Sequence, residues 1–208
     1  MKKVNIIYLL PEMKEASGGA KVIYNHSLTL NNINKNVSSK IVHLKKNFLY
    51  KLELSLAKKI KFFNQTYSGW DGKKMKIIKK FKPKKDWYEN KIFSRNNLNF
   101  DKKKDFIIIP EIWAHFATDL KFAEKGISYA IFVQGFYHMN STNNFVNLKK
   151  SYDAAKLIIT TSKYSVSYLN NMFPNLKKKI FKVNLSVDSN KFKIKKKTNL
   201  ITYMPRKL

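Results

Sequence analysis

The sequence predicts an α/β fold, a Rossmann-like parallel sheet flanked by helices, and two observations predict it. Short apolar runs of strand length recur along the chain, and segments with apolar residues at helical spacing separate them. Strands buried on both faces read as continuous apolar runs, which is what a parallel sheet covered on both sides requires. With 208 residues, 44% hydrophobic and 14% aromatic, the chain can fill one domain with a full core and is short for two.

Residues 4–10 form the first apolar run. A loop with Gly18 and Gly19 follows, then a helical face of Ala20, Ile23, Tyr24 and Leu28. SSKIVHL (38–44) is the second strand. DFIIIPE (105–111) is a fully apolar strand, and Trp113, Phe116, Ala117, Leu120 and Ala123 make a helical stripe ended by Gly126. ISYAIFVQG (127–135) is again a strand, Phe145, Leu148, Tyr152 and Ala155 mark a helix, and KLIITTS (156–162) is a strand. Tyr168, Leu169, Met172 and Phe173 form a helical face before Pro174, and KIFKVNLSV (179–187) closes the series. The region near 45–104 reads as an irregular lysine-rich insertion. Its part from 64 to 104, with Trp70, Trp87 and the Pro83 break, fits the alternation least. Helices of these lengths between strands make βαβ units, whose ligands bind at the carboxyl ends of the strands, so the loops after Leu10, Ile109, Val133 and Thr160 are where a site is expected.

With 42 Lys+Arg against 13 Asp+Glu the chain carries +29, a balance that attracts phosphates and anionic surfaces. A coding bias that fills solvated faces with lysine explains it equally well. Only Arg95 and Arg206 are arginines, whereas nucleic-acid readers favour the bidentate guanidinium, and no nucleic-acid motif is present; no specific nucleic acid is expected as partner. Without cysteine there is no disulfide, thiolate metal site or thiol nucleophile. His26, His43, His115 and His138 match no metal-ligand spacing, so no metal is expected. His26 is expected to pack along its helix, while His115 and His138 lie near the expected cleft as candidates for proton transfer. The start MKKVNIIYLLPEMKEA imitates a secretory leader, but its apolar run is broken by Asn5 and followed by Glu12, Lys14 and Glu15 instead of a cleavage site. No run approaches bilayer-spanning length.

In NFLYKLELSLAKKIKFF (47–63), Leu49, Leu52, Leu56, Ile60 and Phe63 recur at helical spacing among Lys51, Lys58, Lys59 and Lys61. Two readings stay open: a helix lying on an anionic membrane surface, or one packing its stripe on the sheet.

The pieces SGGA, IIIPEIW, IFVQGFY, IITTSKYS, VNLSVDSNKF and ITYMPRK, in that order and each at a strand end, resemble bacterial GT-B glycosyltransferases of the group 1, family 4-like kind that builds surface polysaccharides. The resemblance covers residues 1–44 and 105–208. It implies a Rossmann-like N-terminal domain over 1–192 that mostly holds the acceptor. Residues 193–208 would be a linker and the first strand of a C-terminal, nucleotide-sugar domain not contained in the chain. Leu185 and Ser186 stand where the family often has Asn-Gly in the crossover turn.

The activity so implied is transfer from a nucleotide-diphosphate sugar to a glycan or lipid-linked acceptor at the cytoplasmic face of a membrane, with no cofactor besides the donor, and this chain alone is expected to be incomplete or inactive in it. Glycosyl transfer passes through an oxocarbenium-like state while a diphosphate leaves, so donors must aim at the growing phosphate charge. Gly18 and Gly19 would let backbone N–H groups and a helix N-terminus approach that phosphate, unless they are an ordinary glycine loop. Arg206 and Lys207 would neutralise it from the second domain, unless they are a basic tail. Glu111 and Gln134 would bond sugar hydroxyls, with Gly135 leaving room; many relatives have histidine at Gln134, and the catalytic base stays unassigned. Ser162 would contact ligand or cap the next helix. The acidic pair of retaining members has no counterpart here. Two further readings stand beside this one: a non-catalytic remnant or half of a split enzyme whose other half is separately encoded, and a basic binding module for anionic membrane or nucleic acid.

Overall fold

The computed structural model describes residues 4–12, 17–33, 35–59, 72–78, 95, 97–135 and 145–185. Among the described residues seven strands make one sheet: β1 (Val4–Pro11), β2 (Val37–Lys46), β3 (Met75–Ile77), β4 (Asp105–Pro110), β5 (Ser128–Val133), β6 (Leu157–Thr160) and β7 (Ile180–Lys182), in the order β3-β2-β1-β4-β5-β6-β7. All neighbours are parallel except β3, which runs antiparallel to β2 at the edge. The helices are α1 (Gly18–Ile33), α2 (Phe48–Lys59), α3 (Phe116–Asp119), α4 (Phe145–Ala154) and α5 (Lys163–Met172). This is the α/β, Rossmann-like arrangement expected from the apolar runs.

Strand alternation divides the core in two. Ile7, Leu9, Val42, Leu44, Ile107 and Ile109 point to the face covered by Trp113, Phe116, Leu148, Tyr152 and Leu169, while Tyr8, Leu10, Ile41 and Ile108 point to the face covered by Ala20, Ile23 and Tyr24 of α1. The face of α1 is as expected except that Leu28 is only partly buried. Ser27 is buried instead, its hydroxyl accepting from Ser39 Oγ at 2.9 Å.

Of the stripe from Trp113 to Ala123, Trp113, Phe116 and Ala117 are buried, Leu120 is partly buried and Ala123 is exposed, and the stripe is not one helix. A 3-10 turn spans Glu111–Trp113, and α3 stops at Asp119. Lys121 then takes a left-handed φ of 56° while Phe122 N–H bonds Ala117 O and Lys121 N–H bonds Thr118 O, a Schellman stop with lysine in the position glycine usually fills. The pattern repeats at once: Gly126 has φ 68°, Ile127 N–H bonds Phe122 O, and Gly126 N–H bonds Ala123 O. These two stops turn Phe122 into the core and deliver Ile127 to the start of β5. Periodicity reported burial there, and the left-handed residues broke the helix.

The 45–104 region is regular in part: β2 continues through Lys46, α2 follows, and β3 extends the sheet, while the described residues 95 and 97–104 are coil and turn. Gly72 is wedged against the core, where a Cβ would lie 3.2 Å from Phe116 and Asp119 side-chain atoms. At the sheet's amino edge the buried Asp105 carboxylate accepts from Asn5 Nδ2 at 2.7 Å, Arg95 at 2.8 Å and Asp101 N–H at 2.9 Å. Burial pushes that carboxyl up, but these bonds and the Arg95 charge outweigh it and hold it below its ordinary value. Of the last expected strand, 179–187, the described residues pair at Ile180–Lys182, with Phe181 half exposed at the sheet edge. Residues 186–208, with the expected linker and new strand, lie outside the described residues.

Candidate functional site

The register of the parallel strands builds this site. Ile109 pairs with Ile131 and Pro110 with Phe132, so Glu111, one residue past β4, arrives beside the turn that leaves β5. Its two oxygens are taken by consecutive backbone donors: Gln134 N–H to Oε2 and Gly135 N–H to Oε1, each at 3.2 Å. The Gln134 side chain then reaches across to α1 and donates from Nε2 to Gly19 O at 3.2 Å. Three signals far apart in sequence therefore meet at the carboxyl edge of the sheet.

Glu111 is buried, and burial pushes its carboxyl above the usual range, against the pull of N–H groups from Gln134, Glu111 itself and Gly135. Behind it, Tyr152 is fully buried; burial first and the Glu111 charge second raise its phenol well above the ordinary value. Its hydroxyl has no hydrogen-bond partner among the described residues.

Of Gly18 and Gly19, the second has a partner within the protein itself. Both lie in the first turn of α1, and neither has the left-handed φ found at Gly126. A Cβ on Gly19 would stand 2.8 Å from Gln134 Oε1, so its bareness admits a neighbouring side chain of the same protein. Gly18 is exposed with nothing within 4 Å of a built Cβ, which leaves its side of the helix end open. Gly135 likewise has nothing within 4 Å.

Ser162, extended at φ −137°, caps α5: its hydroxyl accepts from Ser165 N–H at 3.0 Å. That leaves its capping role in place and gives no separate sign of ligand contact. Arg206, Lys207 and His138 lie outside the described residues. His115 is buried with its ring edge-on to Phe116, and His26 packs against the Phe132 ring at 5.4 Å between centroids. Burial lowers the His26 pKa, favouring the neutral ring.

Sequence reasoning gave His43 no role. It is buried on β2 beneath α1, bonded through Nε2 to Tyr24 Oη at 2.9 Å, and burial pushes it down to about 4. No spacing signal marks such a residue; a histidine inside an apolar strand was the only hint.

Among the described residues no group of three or more His, Asp or Glu side chains is placed to hold a metal ion, and no helix is long and apolar enough to cross a membrane. Two open depressions lie away from the carboxyl edge. One of about 470 Å³ is lined by Phe100, Lys102, Phe122 and Lys125, and one of about 430 Å³ by Thr118, Glu124, Lys150 and Asp153. No family model, no curated protein and no solved structure matches this chain, so the site stands on its own geometry.

Proposed function

We propose that this domain serves glycosyl transfer from a nucleotide-diphosphate sugar to a glycan or lipid-linked acceptor. The observation that supports the reading is the meeting of the α1 N-terminus, Glu111, Gln134 and Gly135 at the carboxyl edge of a parallel sheet, where such folds bind ligands.

The chemistry follows from what each part can do. The first N–H groups of α1 lack intrahelical acceptors and carry the positive end of the helix dipole, so the exposed Gly18 turn offers hydrogen bonds to a leaving diphosphate. Glu111 is held by two backbone donors and keeps lone pairs that can accept from an acceptor hydroxyl. Its raised pKa makes it readier to take a proton than an exposed carboxylate. Gln134 fixes the distance between helix and clamp through its bond to Gly19.

Amide spectra of ¹⁵N-labelled protein titrated with a panel of nucleotide-diphosphate sugars and glycan acceptors test this. The expected perturbations centre on Gly18, Gly19, Gln134 and Gly135. Silence of those four amides at millimolar ligand, or shifts confined to lysine-rich surfaces elsewhere, would overturn the reading.

A further inference from the structure

Helix α2 turns an apolar face to solvent. Phe48 is 75% exposed, Leu49 74%, Leu52 48% and Leu56 51%, although each is the residue type a soluble helix buries. At 3.6 residues per turn the four fall within an arc of about 100°, so this is one face and not a scatter of single exposed residues. Packing of that stripe on the sheet, one of the two readings open from sequence, is therefore not what these four side chains do. Cations lie near the face in the chain and in the sheet. Lys51 is exposed on the same helix, Lys45 and Lys46 end β2 just before it, and Lys76 pairs with Lys45 on β3. In sequence Lys58, Lys59 and Lys61 follow, and Glu53 is the sole acid from 45 to 63.

We infer that α2 is a docking surface for an anionic phospholipid bilayer, its apolar face entering the interface and the lysines meeting lipid phosphates. Charge selects this occupant over others. A second copy of the chain would bring one +29 molecule against another. Four side chains also fall far short of the roughly 1,200 Å² of buried surface a stable protein interface needs. A bilayer asks only for an apolar strip with a basic border.

The placement matters for the site. β2 runs parallel to β1, and α2 leaves β2 at the carboxyl edge, the edge where Glu111, Gln134 and Gly19 meet. A chain docked through α2 holds that edge near the lipid surface. The inference does not depend on the sugar-transfer reading, and nucleotide-sugar titration does not report on it.

Co-sedimentation with vesicles tests it, comparing phosphatidylglycerol–phosphatidylcholine mixtures with phosphatidylcholine alone at low salt. The protein should pellet with the anionic vesicles only. The triple change Leu49→Asp, Leu52→Asp and Leu56→Asp alters exposed positions, so circular dichroism and melting should stay those of the parent. Its binding should weaken about tenfold or more, because the apolar contribution is gone and three like charges are added. To separate insertion from charge effects, a Leu52→Trp variant should show a blue-shifted emission quenched by lipids brominated in the acyl chain. No vesicle binding by the parent overturns the inference. So does binding of the Trp variant without acyl-chain quenching, which would mean adhesion of a +29 molecule through other faces. Self-association that the triple variant abolishes, with no vesicle binding, would assign the face to a second copy and overturn it equally.

Discussion

In a Glu111→Gln variant one of the two clamp oxygens becomes an amide nitrogen. The N–H groups of Gln134 and Gly135 each have an acceptor at 3.2 Å, and glutamine can supply only one. The other donor then faces a donor, a loss of about 1–3 kcal/mol for a buried group left unpaired. Opposing this is relief from burying a charge, and its sign comes from the raised carboxyl. Between the ordinary 4.5 and the higher folded value, the folded state holds a proton that the unfolded state has released, so parent stability falls as pH rises through that window. Glutamine has no such slope. The variant's deficit should therefore be full near the lower end and shrink as pH rises. Urea unfolding of both proteins across roughly pH 4 to 8 measures it, and taking the difference removes titrations the two proteins share. A deficit that is flat with pH, or that grows as pH rises, would refute the burial of the charge, and no deficit at the lower end would refute the clamp.

Gly19→Ala should displace Gln134 from Gly19 O and cost about 1 kcal/mol, whereas Gly18→Ala meets nothing and should be neutral or slightly stabilising, as compared in thermal melts. Only if Gly18 approaches a ligand should Gly18→Val weaken donor binding while leaving the melt unchanged. For His43 the folded pKa of about 4 lies below the ordinary 6.5, so the unfolded chain takes the proton first and stability is lost as pH falls between them. The span corresponds to at most about 3 kcal/mol, and His43→Leu should flatten it in pH-dependent unfolding. Ser162→Ala should lose about 1 kcal/mol with the α5 cap and Ser162→Asp should keep it; equal melts for the two would show that the cap contributes nothing.

The central strands were legible because a parallel sheet buried on both faces writes itself as runs such as FIII and YAIFV. β3 was not: three residues with Lys76 in their middle, paired at the sheet edge, carry no apolar run. The Asp105 cluster joins Asn5 to Asp105 and draws in Arg95, and pairing between strands so distant in sequence leaves no local pattern. One of only two arginines standing ten residues before an acid that opens an apolar strand was the available signal. At the site, residue positions were legible and relations were not. Glu111, Gln134 and Gly19 were each placed at a strand or helix end, but their bonds to one another depend on the β4–β5 register, which single runs do not state. The contact of Gly19 with Gln134 was not legible either, because it joins residues 115 apart in sequence.

β1 sits between β2 and β4, and β4 begins only at Asp105. During synthesis the first strand can therefore pair on one side once Val37–Lys46 has left the ribosome, but its other edge, from Asn5 to Tyr8, has no native partner until the chain has been made through Ile108. An apolar strand with an unpaired edge is a template for any strand that passes. For this chain the delay spans the whole lysine-rich stretch, whose like charges keep neighbouring nascent chains apart while that edge waits.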